Sequence, residues 1–307
     1  MENVIVNPEN YQSEYIKYLN ECFNHWGQEE LYNWVFNRQV GDNASDIMIL
    51  KNEEDEVIAG SGVTYRKLST PSGKSIDIAI MTGSWTLPKA RGKGCFSKII
   101  ALSQEIAHTK NVPYLTAFVT EQNASFRRLA SAGSMLVPTS HLFSPEEPYA
   151  KADTSAIEVI KDEDKETIAA IYNRFKTLQK GSISFDYTKE EFNQQYINSP
   201  KKPEILKIGA NYALIEETYN AVKVLLLTYE NLGEFEHLVK ALTNWALKDR
   251  SKKLFLFSTE KETIDVCENL GFENMKGYFT ILATAPAAGT EIDAQLMQVN
   301  IRMGDKM

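Results

Sequence analysis

Between Trp85 and Ile100 the chain carries Leu87-Pro88-Lys89-Ala90-Arg91-Gly92-Lys93-Gly94-Cys95-Phe96-Ser97-Lys98. An apolar strand-like run ends here, a basic loop with two glycines turns, and a periodic stretch begins. Phe96, Ile99, Ile100, Ser103, Ile106 and Ala107 recur at helical spacing, which predicts an amphipathic helix. The first backbone N–H groups of a helix have no intrahelical partner and lie at its positive dipole end. With glycines admitting close approach and Arg91, Lys93 and Lys98 adding charge, the loop suits a pyrophosphate.

Other phosphate motifs fit less well. A Walker loop needs four residues between its glycine and its Gly-Lys, and here a single residue separates the two glycines. A dinucleotide fingerprint needs a third glycine where Ser97 stands. An ordinary helix-capping glycine turn with stray basic residues is the plain alternative. The strand before the loop and the periodic helix after it favour the anion site.

The positioning elements follow from periodicity. In the first half a short run, Val4 to Val6, precedes two helical stretches, about Asn10 to Trp26 and Glu29 to Gln39. Tyr15, Leu19, Cys22 and Phe23 share one spacing on the first, and Leu31, Trp34 and Val35 lie on the second. Strands are expected at Asp46 to Leu50, Glu56 to Leu68 and Ser75 to Leu87, with turn residues between them that suit antiparallel hairpins. After the helix come a strand at Tyr114 to Val119, a helix from Asn123 to Ala132 stopped by Gly133, and strands from Met135 to Phe143.

The second half repeats this order, from Ile157 to Ala283, which points to internal duplication. We expect an α/β (α+β) chain of two tandem domains, each a mixed, mostly antiparallel sheet flanked by helices. The first domain spans 1–144, a proline-containing linker 145–155, the second domain 156–285 and a C-terminal tail 286–307.

At this point the sequence resembles the GNAT N-acetyltransferase superfamily, whose phosphate loop reads [QR]-x-x-G-x-[GA]. Lys89 to Gly94 match it with Lys at the first position. Asn123 to Gly133 resemble the downstream N-x-x-A…Y-E-K-x-G-F element, with Leu129 at the tyrosine position. The resemblance implies an acetyl-CoA-dependent N-acetyltransferase. Backbone amides of about Lys93 to Ser97, including Cys95 and Phe96, would hold the pyrophosphate beside Arg91, Gly92 and Gly94. Trp85, Thr86 and Leu87 would pair with the pantetheine arm, and Asn123 would contact the cofactor. The family tyrosine that protonates the departing thiolate is missing, and Leu129 cannot replace it.

The resemblance also colours the acceptor side. Asp77 is the one carboxylate on the fourth strand, near where some family members keep a glutamate base; a solvated strand residue is the alternative. Tyr18, Glu21, His25 and Trp26 on the first helix fall in the region that shapes the family's acceptor cleft. A surface histidine and core aromatics are the competing readings. In the second half the loop position reads Glu230-Asn231-Leu232-Gly233-Glu234-Phe235-Glu236, with three carboxylates and no basic residue. Like charge opposes a pyrophosphate there, so that half is expected to be a degenerate copy.

Composition bounds the rest. The 307 residues are 43% hydrophobic and 24% charged, enough for two cores. Three scattered cysteines, Cys22, Cys95 and Cys267, support neither a disulfide framework nor a metal site and suit a reducing, cytoplasmic compartment. The N-terminal residues lack a signal-peptide pattern and no apolar run reaches the roughly 18 residues of a membrane span. A net charge of −8 argues against nucleic acid and would steer a cationic acceptor, although acidity often serves only solubility. The expected partner is a small-molecule amine, in the manner of tandem antibiotic-modifying relatives resembling zwittermicin and paenilamicin self-resistance enzymes. A peptide or protein N-acyltransferase and a non-catalytic acyl-CoA-binding protein are the alternatives, and monomer and homodimer both remain open.

Overall fold

The computed structural model describes residues 3–38, 40–150, 152, 154–161, 164–285 and 295–306. The first half of the sequence forms β1 (Asn3–Val6), α1 (Gln12–Phe23), α2 (Glu29–Tyr32), β2 (Asp46–Lys51), β3 (Val57–Ser69), β4 (Ser75–Thr86), α3 (Cys95–Thr109), β5 (Tyr114–Thr120), α4 (Ala124–Ser131) and β6 (Met135–Phe143). A π-helical turn, Asn33–Asn37, extends α2; Gln39, the expected end of that helix, lies outside the described residues. The second half forms β7 (Ile157–Ile160), α5 (Lys165–Leu178), β8 (Ile183–Asp186), α6 (Lys189–Phe192), β9 (Glu204–Ile208), β10 (Asn211–Glu217), β11 (Ala221–Leu227), α7 (Leu232–Arg250), β12 (Lys253–Ser258), α8 (Lys261–Asn269), β13 (Glu273–Ala283) and β14 (Val299–Asn300). The expected order recurs in both halves, with β8 and β14 as additions too short to announce themselves by periodicity.

Two compact units result, and they are not the two halves of the sequence. Unit 1 is Met1–Leu68, Ser75–Leu136 and Tyr278–Asp293; unit 2 is Ser69–Lys74, Val137–Gly277 and Ala294–Met307. Each unit therefore takes its last strand from the other half of the chain. The domain limits expected at 144 and 156 follow chain order, whereas strand pairing follows which edge a run reaches.

In unit 1 the strands run in the order β1-β2-β3-β4-β5-β13. β1–β2 and β2–β3 are antiparallel and β4–β5 is parallel, in register at Ile78↔Tyr114, Ala79↔Leu115 and Ile80↔Thr116. β13 is fastened to the β5 side by Thr280 Oγ1 donating to the Ala117 carbonyl (3.2 Å) and by Phe279 packed on Phe118 (4.9 Å). One core lies under α3, where Ile99, Ile100 and Ala107 meet Met48, Leu115, Val119 and Leu282. A second lies under α1 and α2, where Tyr15, Leu19, Tyr32, Phe36 and Trp85 cluster. On α1 the buried residues are Tyr15 and Leu19, one helical turn apart, while Phe23 is exposed.

In unit 2 the order is β6-β12-β11-β10-β9-β7. β11 and β12 are parallel, in register at Ala221↔Lys253, Val222↔Leu254 and Lys223↔Phe255, and β6 joins β12 antiparallel. α7 covers this sheet with Phe235, Leu238, Val239, Leu242 and Trp245 buried. The expected tail is partly structured. Residues 286–294 lie outside the described residues, and 295–306 belong to unit 2, where Leu296, Val299, Ile301 and Met303 are buried.

Candidate active site: the splay of β4 and β5

The pairing of β4 with β5 ends at Ile80↔Thr116. Past that point residues of both strands, Met81, Gly83 to Thr86 and Ala117 to Val119, line a cleft of about 790 Å³ in unit 1. The N-terminus of α3 and the start of α4 complete the walls, with Gly94, Cys95 and Phe96 on one side and Asn123, Ser125 and Arg128 on the other.

Gly94 is the N-cap of α3 in the left-handed conformation (φ +82°), with no side-chain cap on the helix. Non-glycine residues adopt that conformation at a cost. The N–H groups of Ser97 and Lys98 turn back to the Gly94 carbonyl at 3.1 and 3.3 Å, and that of Lys93 to Ala90 at 3.4 Å. The amides that remain for an anion are therefore those around Gly94, Cys95 and Phe96, a narrower set than the Lys93 to Ser97 span of the sequence reading. α3 is held in place by Cys95, Ile99, Ile100, Ser103 and Ala107, all buried.

Most sequence-derived cofactor residues come together here. Trp85, Thr86, Arg91, Gly92, Gly94, Cys95, Phe96, Ser97 and Asn123 all line the cleft. Lys93 is exposed and outside the lining, and Leu87 is buried with its N–H donated to the Ile58 carbonyl (2.9 Å). That N–H is thus committed to β3. Lys89 is bound to Glu56 at 2.7 Å and adds nothing to the loop's charge.

The acceptor-side candidates disperse. Trp26 lines the cleft and stacks near Phe36 (6.2 Å). Tyr18 stacks on Trp85 (5.0 Å) but, with Glu21, lines a separate concavity of about 510 Å³ beside Tyr11, Glu14 and Glu56. His25 is exposed in a left-handed conformation (φ +67°) and lines neither. Asp77 is exposed at the start of β4, outside the cleft lining. Met81 lies four residue steps further along the strand, roughly 13 Å at the usual rise. A base must come within about 3 Å of its proton, so this placement corrects the reading of Asp77 as base.

No carboxylate and no imidazole is found among the described residues lining the cleft. Its polar side chains are hydroxyls, two thiols, an amide, two indoles and two arginines. Ser84 is backed by the fully buried Ser61, Oγ to Oγ 2.7 Å. Cys22 donates to the Thr86 carbonyl (3.7 Å), and burial, with Glu21 beside it, raises its thiol's pKa against the opposing pull of Arg91. Leu129, at the position of the missing tyrosine, is 1% exposed, lines the cleft and belongs to the α3 core.

Sequence reasoning missed Cys22, Phe23, Met81, Ser84, Ser125 and Arg128. The strand run through Ser84 and the turn of helix after Asn123 were visible; which of their residues face a cleft depends on the splay. A larger concavity in unit 2, about 880 Å³, has two of its three lysines paired, Lys252 with Glu217 (2.6 Å) and Lys253 with Glu146 (3.2 Å). No group of metal-ligating side chains occurs among the described residues, and no described helix is long and apolar enough to cross a membrane.

No family model matches the chain. No curated protein matches it either. Solved structures do. A probable N-acyltransferase from Enterococcus faecalis V583 superposes with a TM-score of 0.66 at 12% identity, over 92% of this chain and 73% of that one. A tandem GNAT protein from the clavulanic acid biosynthesis pathway gives 0.60 at 11%, over 94% and 100%. Saccharomyces cerevisiae N-myristoyltransferase with bound myristoyl-CoA gives 0.62 at 11%, over 96% and 87%. At such identities the likeness is one of fold, and this chain has the fold of the GNAT N-acetyltransferases.

Proposed function

We propose that the chain is an acyl-CoA-dependent N-acyltransferase that uses acetyl-CoA to acetylate a primary amine of a small, cationic molecule. The observation that carries the reading is the cleft where β4 and β5 part, closed at one end by the uncapped N-terminus of α3. Amides around Gly94 to Phe96 hold the pyrophosphate, with Arg91 and the helix dipole balancing its charge. The exposed edge of β4 past Ile80 takes the pantetheine arm as an added strand.

A neutral amine attacks the thioester carbonyl; the oxyanion is stabilised by a β4 backbone N–H, and CoA leaves as a thiolate. With no carboxylate, imidazole or phenol among the described residues of the lining, water carries the amine's proton away. A thiol of ordinary pKa near 8.5 leaves without a dedicated acid. Glu14 and Glu21 in the neighbouring concavity of unit 1, and the net charge of −8, favour a cationic acceptor. Aminated antibiotics are the acceptor class most in keeping with the tandem arrangement, and a cytoplasmic monomer or homodimer is the form expected.

The likeness to N-myristoyltransferase supports a second reading, a longer acyl donor with a peptide acceptor. One experiment separates them: titrate acetyl-CoA and myristoyl-CoA by calorimetry, then follow free CoA release against panels of polyamines, aminoglycosides and N-terminal peptides. Binding of neither donor sinks the proposal. Binding without amine-dependent release leaves a non-catalytic acyl-CoA-binding protein.

A further inference from the structure

Unit 2 repeats the parting of two parallel strands. The pairing of β11 with β12 ends at Lys223↔Phe255, and Val224 to Leu227 and Leu256 to Ser258 line the gap. Yet this gap holds only about 50 Å³, and Asn300, Ile301, Arg302 and Met303 complete its lining. The space is filled by the chain itself.

The filling segment is fixed at every step. β14 pairs parallel with β8, Val299↔Ile183 and Asn300↔Ser184. Thr259 clamps it from both sides: its hydroxyl donates to the Val299 carbonyl (2.7 Å) and accepts from the Ile301 N–H (2.9 Å). Asn300 bonds Glu260, and Gln195 donates to the Gly304 carbonyl (2.6 Å). Asp305, 1% exposed, accepts from Tyr196 (2.6 Å), Tyr187 (3.2 Å) and the Arg302 N–H (2.8 Å). A Cβ on Gly304 would stand 2.0 Å from the ring of Tyr196, so only glycine fits against that ring.

The anion end of the same gap is also satisfied internally. Asn231 caps α7 by accepting the Glu234 N–H (3.0 Å), and the Glu234 carboxylate accepts the Glu230 N–H (2.6 Å) and an Asn211 amide (2.7 Å). An internal carboxylate stands where a pyrophosphate would need to go.

From these contacts we infer that the gap between β11 and β12 is a peptide-docking groove, and that its occupant is this chain's own segment Val299–Lys306. The chemistry it recognises is an extended peptide with small and branched apolar residues, a tight glycine and a following aspartate. The groove selects backbone through Thr259 and Gln195, a carboxylate through Tyr187 and Tyr196, and apolar side chains through Leu225, Leu227 and Leu256.

Two measurements test this. In the full chain, Gly304→Ala is expected to displace the segment, so that trypsin cuts after Arg302 at least tenfold faster than in the parent. An unchanged rate overturns the inference. In a chain lacking residues 295–307, a fluorescein-labelled peptide of residues 297–307 is expected to bind one to one with a Kd below about 10 µM and to raise the Tm towards that of the full chain. A scrambled peptide of the same composition should do neither. A folded shortened chain that ignores the peptide, or that keeps the full Tm, overturns it; where the shortened chain does not fold alone, the tryptic result decides. Neither readout involves acetyl-CoA, so failure of the proposed catalytic function and failure of the groove are separately visible.

Discussion

A Cβ placed on Gly60 would stand 2.5 Å from the Trp85 ring and 2.9 Å from the Met48 carbonyl. β3 is bare at this point so that the indole at the end of β4 can lie across it. Trp85 in turn carries Tyr18 on its face (5.0 Å, 20° between planes) and meets Tyr15 edge-on (5.8 Å). Gly60→Ala is expected to cost about 1–3 kcal/mol by overpacking and to lower acyl-CoA affinity by tilting the end of β4. Urea unfolding and calorimetry measure the two effects, and a variant with parental stability would show that Trp85 has room to move.

Gly94→Glu should abolish the anion site without unfolding the chain. No atom lies within 4 Å of a Cβ there, so the cost to the fold is confined to backbone strain at φ +82°, on the order of 1–2 kcal/mol. The added carboxylate faces the pyrophosphate. We expect acetyl-CoA affinity to fall more than tenfold while circular dichroism is unchanged. Glu234→Gln should leave acetyl-CoA affinity as it was, and the parent should bind one equivalent. A stoichiometry of two that survives Gly94→Glu would move the site elsewhere.

Asp77→Asn is expected to keep kcat/KM within about twofold, because Asp77 sits at the exposed beginning of β4; tenfold is only 1.4 kcal/mol of transition-state stabilisation. Leu129→Tyr asks the opposite question. Leu129 belongs to the core with Ala117 and Val119 and also lines the cleft. The larger ring should lower the Tm while leaving or raising kcat, since its hydroxyl can protonate the departing thiolate. Loss of folding would mean that packing alone governs this position.

How much of this was legible in the sequence depends on the range of the cause. The order of strands and helices is local: alternation at Ile76, Ile78 and Ile80 and the 3.6 period from Phe96 to Ala107 dictate it. The phosphate loop is local too, because its amides belong to consecutive residues. The exchange of β6 and β13 is not local. Both runs read as strands, but nothing within Met135–Phe143 or Glu273–Ala283 states which sheet edge will accept them. The segment around Val299 was read only as a tail, because two strand residues and a glycine turn carry no period; its meaning resides in Thr259, Tyr187 and Tyr196, far away in sequence. Asp77 misled because residue type was visible while distance from the splay was not.

Unit 2 should be sensitive to acid through His141. Burial, and then the nearby Lys306 ammonium at 3.0 Å, push the imidazole from its ordinary value near 6.5 down to about 4, against a small opposing pull from the Met275 backbone. Lys306 is itself pushed down to about 8 by burial and by Lys223. For His141 the unfolded chain binds the extra proton between pH 6.5 and 4, so stability rises with pH across that window and is lost as pH falls through it. His141→Phe preserves the ring packing on Phe255 and Phe257 and should flatten the Tm profile between pH 4 and 6.5. An unaltered profile would mean that other groups dominate the acid limb.

A chain shortened after Tyr149 tests the strand exchange. Such a chain keeps the whole phosphate loop but loses β13, the last strand of unit 1. It thereby uncovers the β5 edge, where Thr280 bonds Ala117, Tyr278 reaches Glu121 (2.8 Å) and Thr284 donates to the Pro113 carbonyl (2.9 Å). It also removes Leu282 from the α3 core and the Tyr278 ring stacked on Phe126 (4.7 Å). Each 100 Å² of apolar surface left bare costs about 2.5 kcal/mol, and an open strand edge invites pairing with another chain. We therefore expect the shortened chain to aggregate even though it contains the whole cleft-forming loop Arg91 to Phe96. Joining residues 277–285 to residue 136 through a short glycine-serine linker should return a soluble protein that binds acetyl-CoA. Sedimentation and calorimetry on the two chains decide the matter: a soluble, acetyl-CoA-binding protein without the grafted strand would show that β13 is dispensable to unit 1.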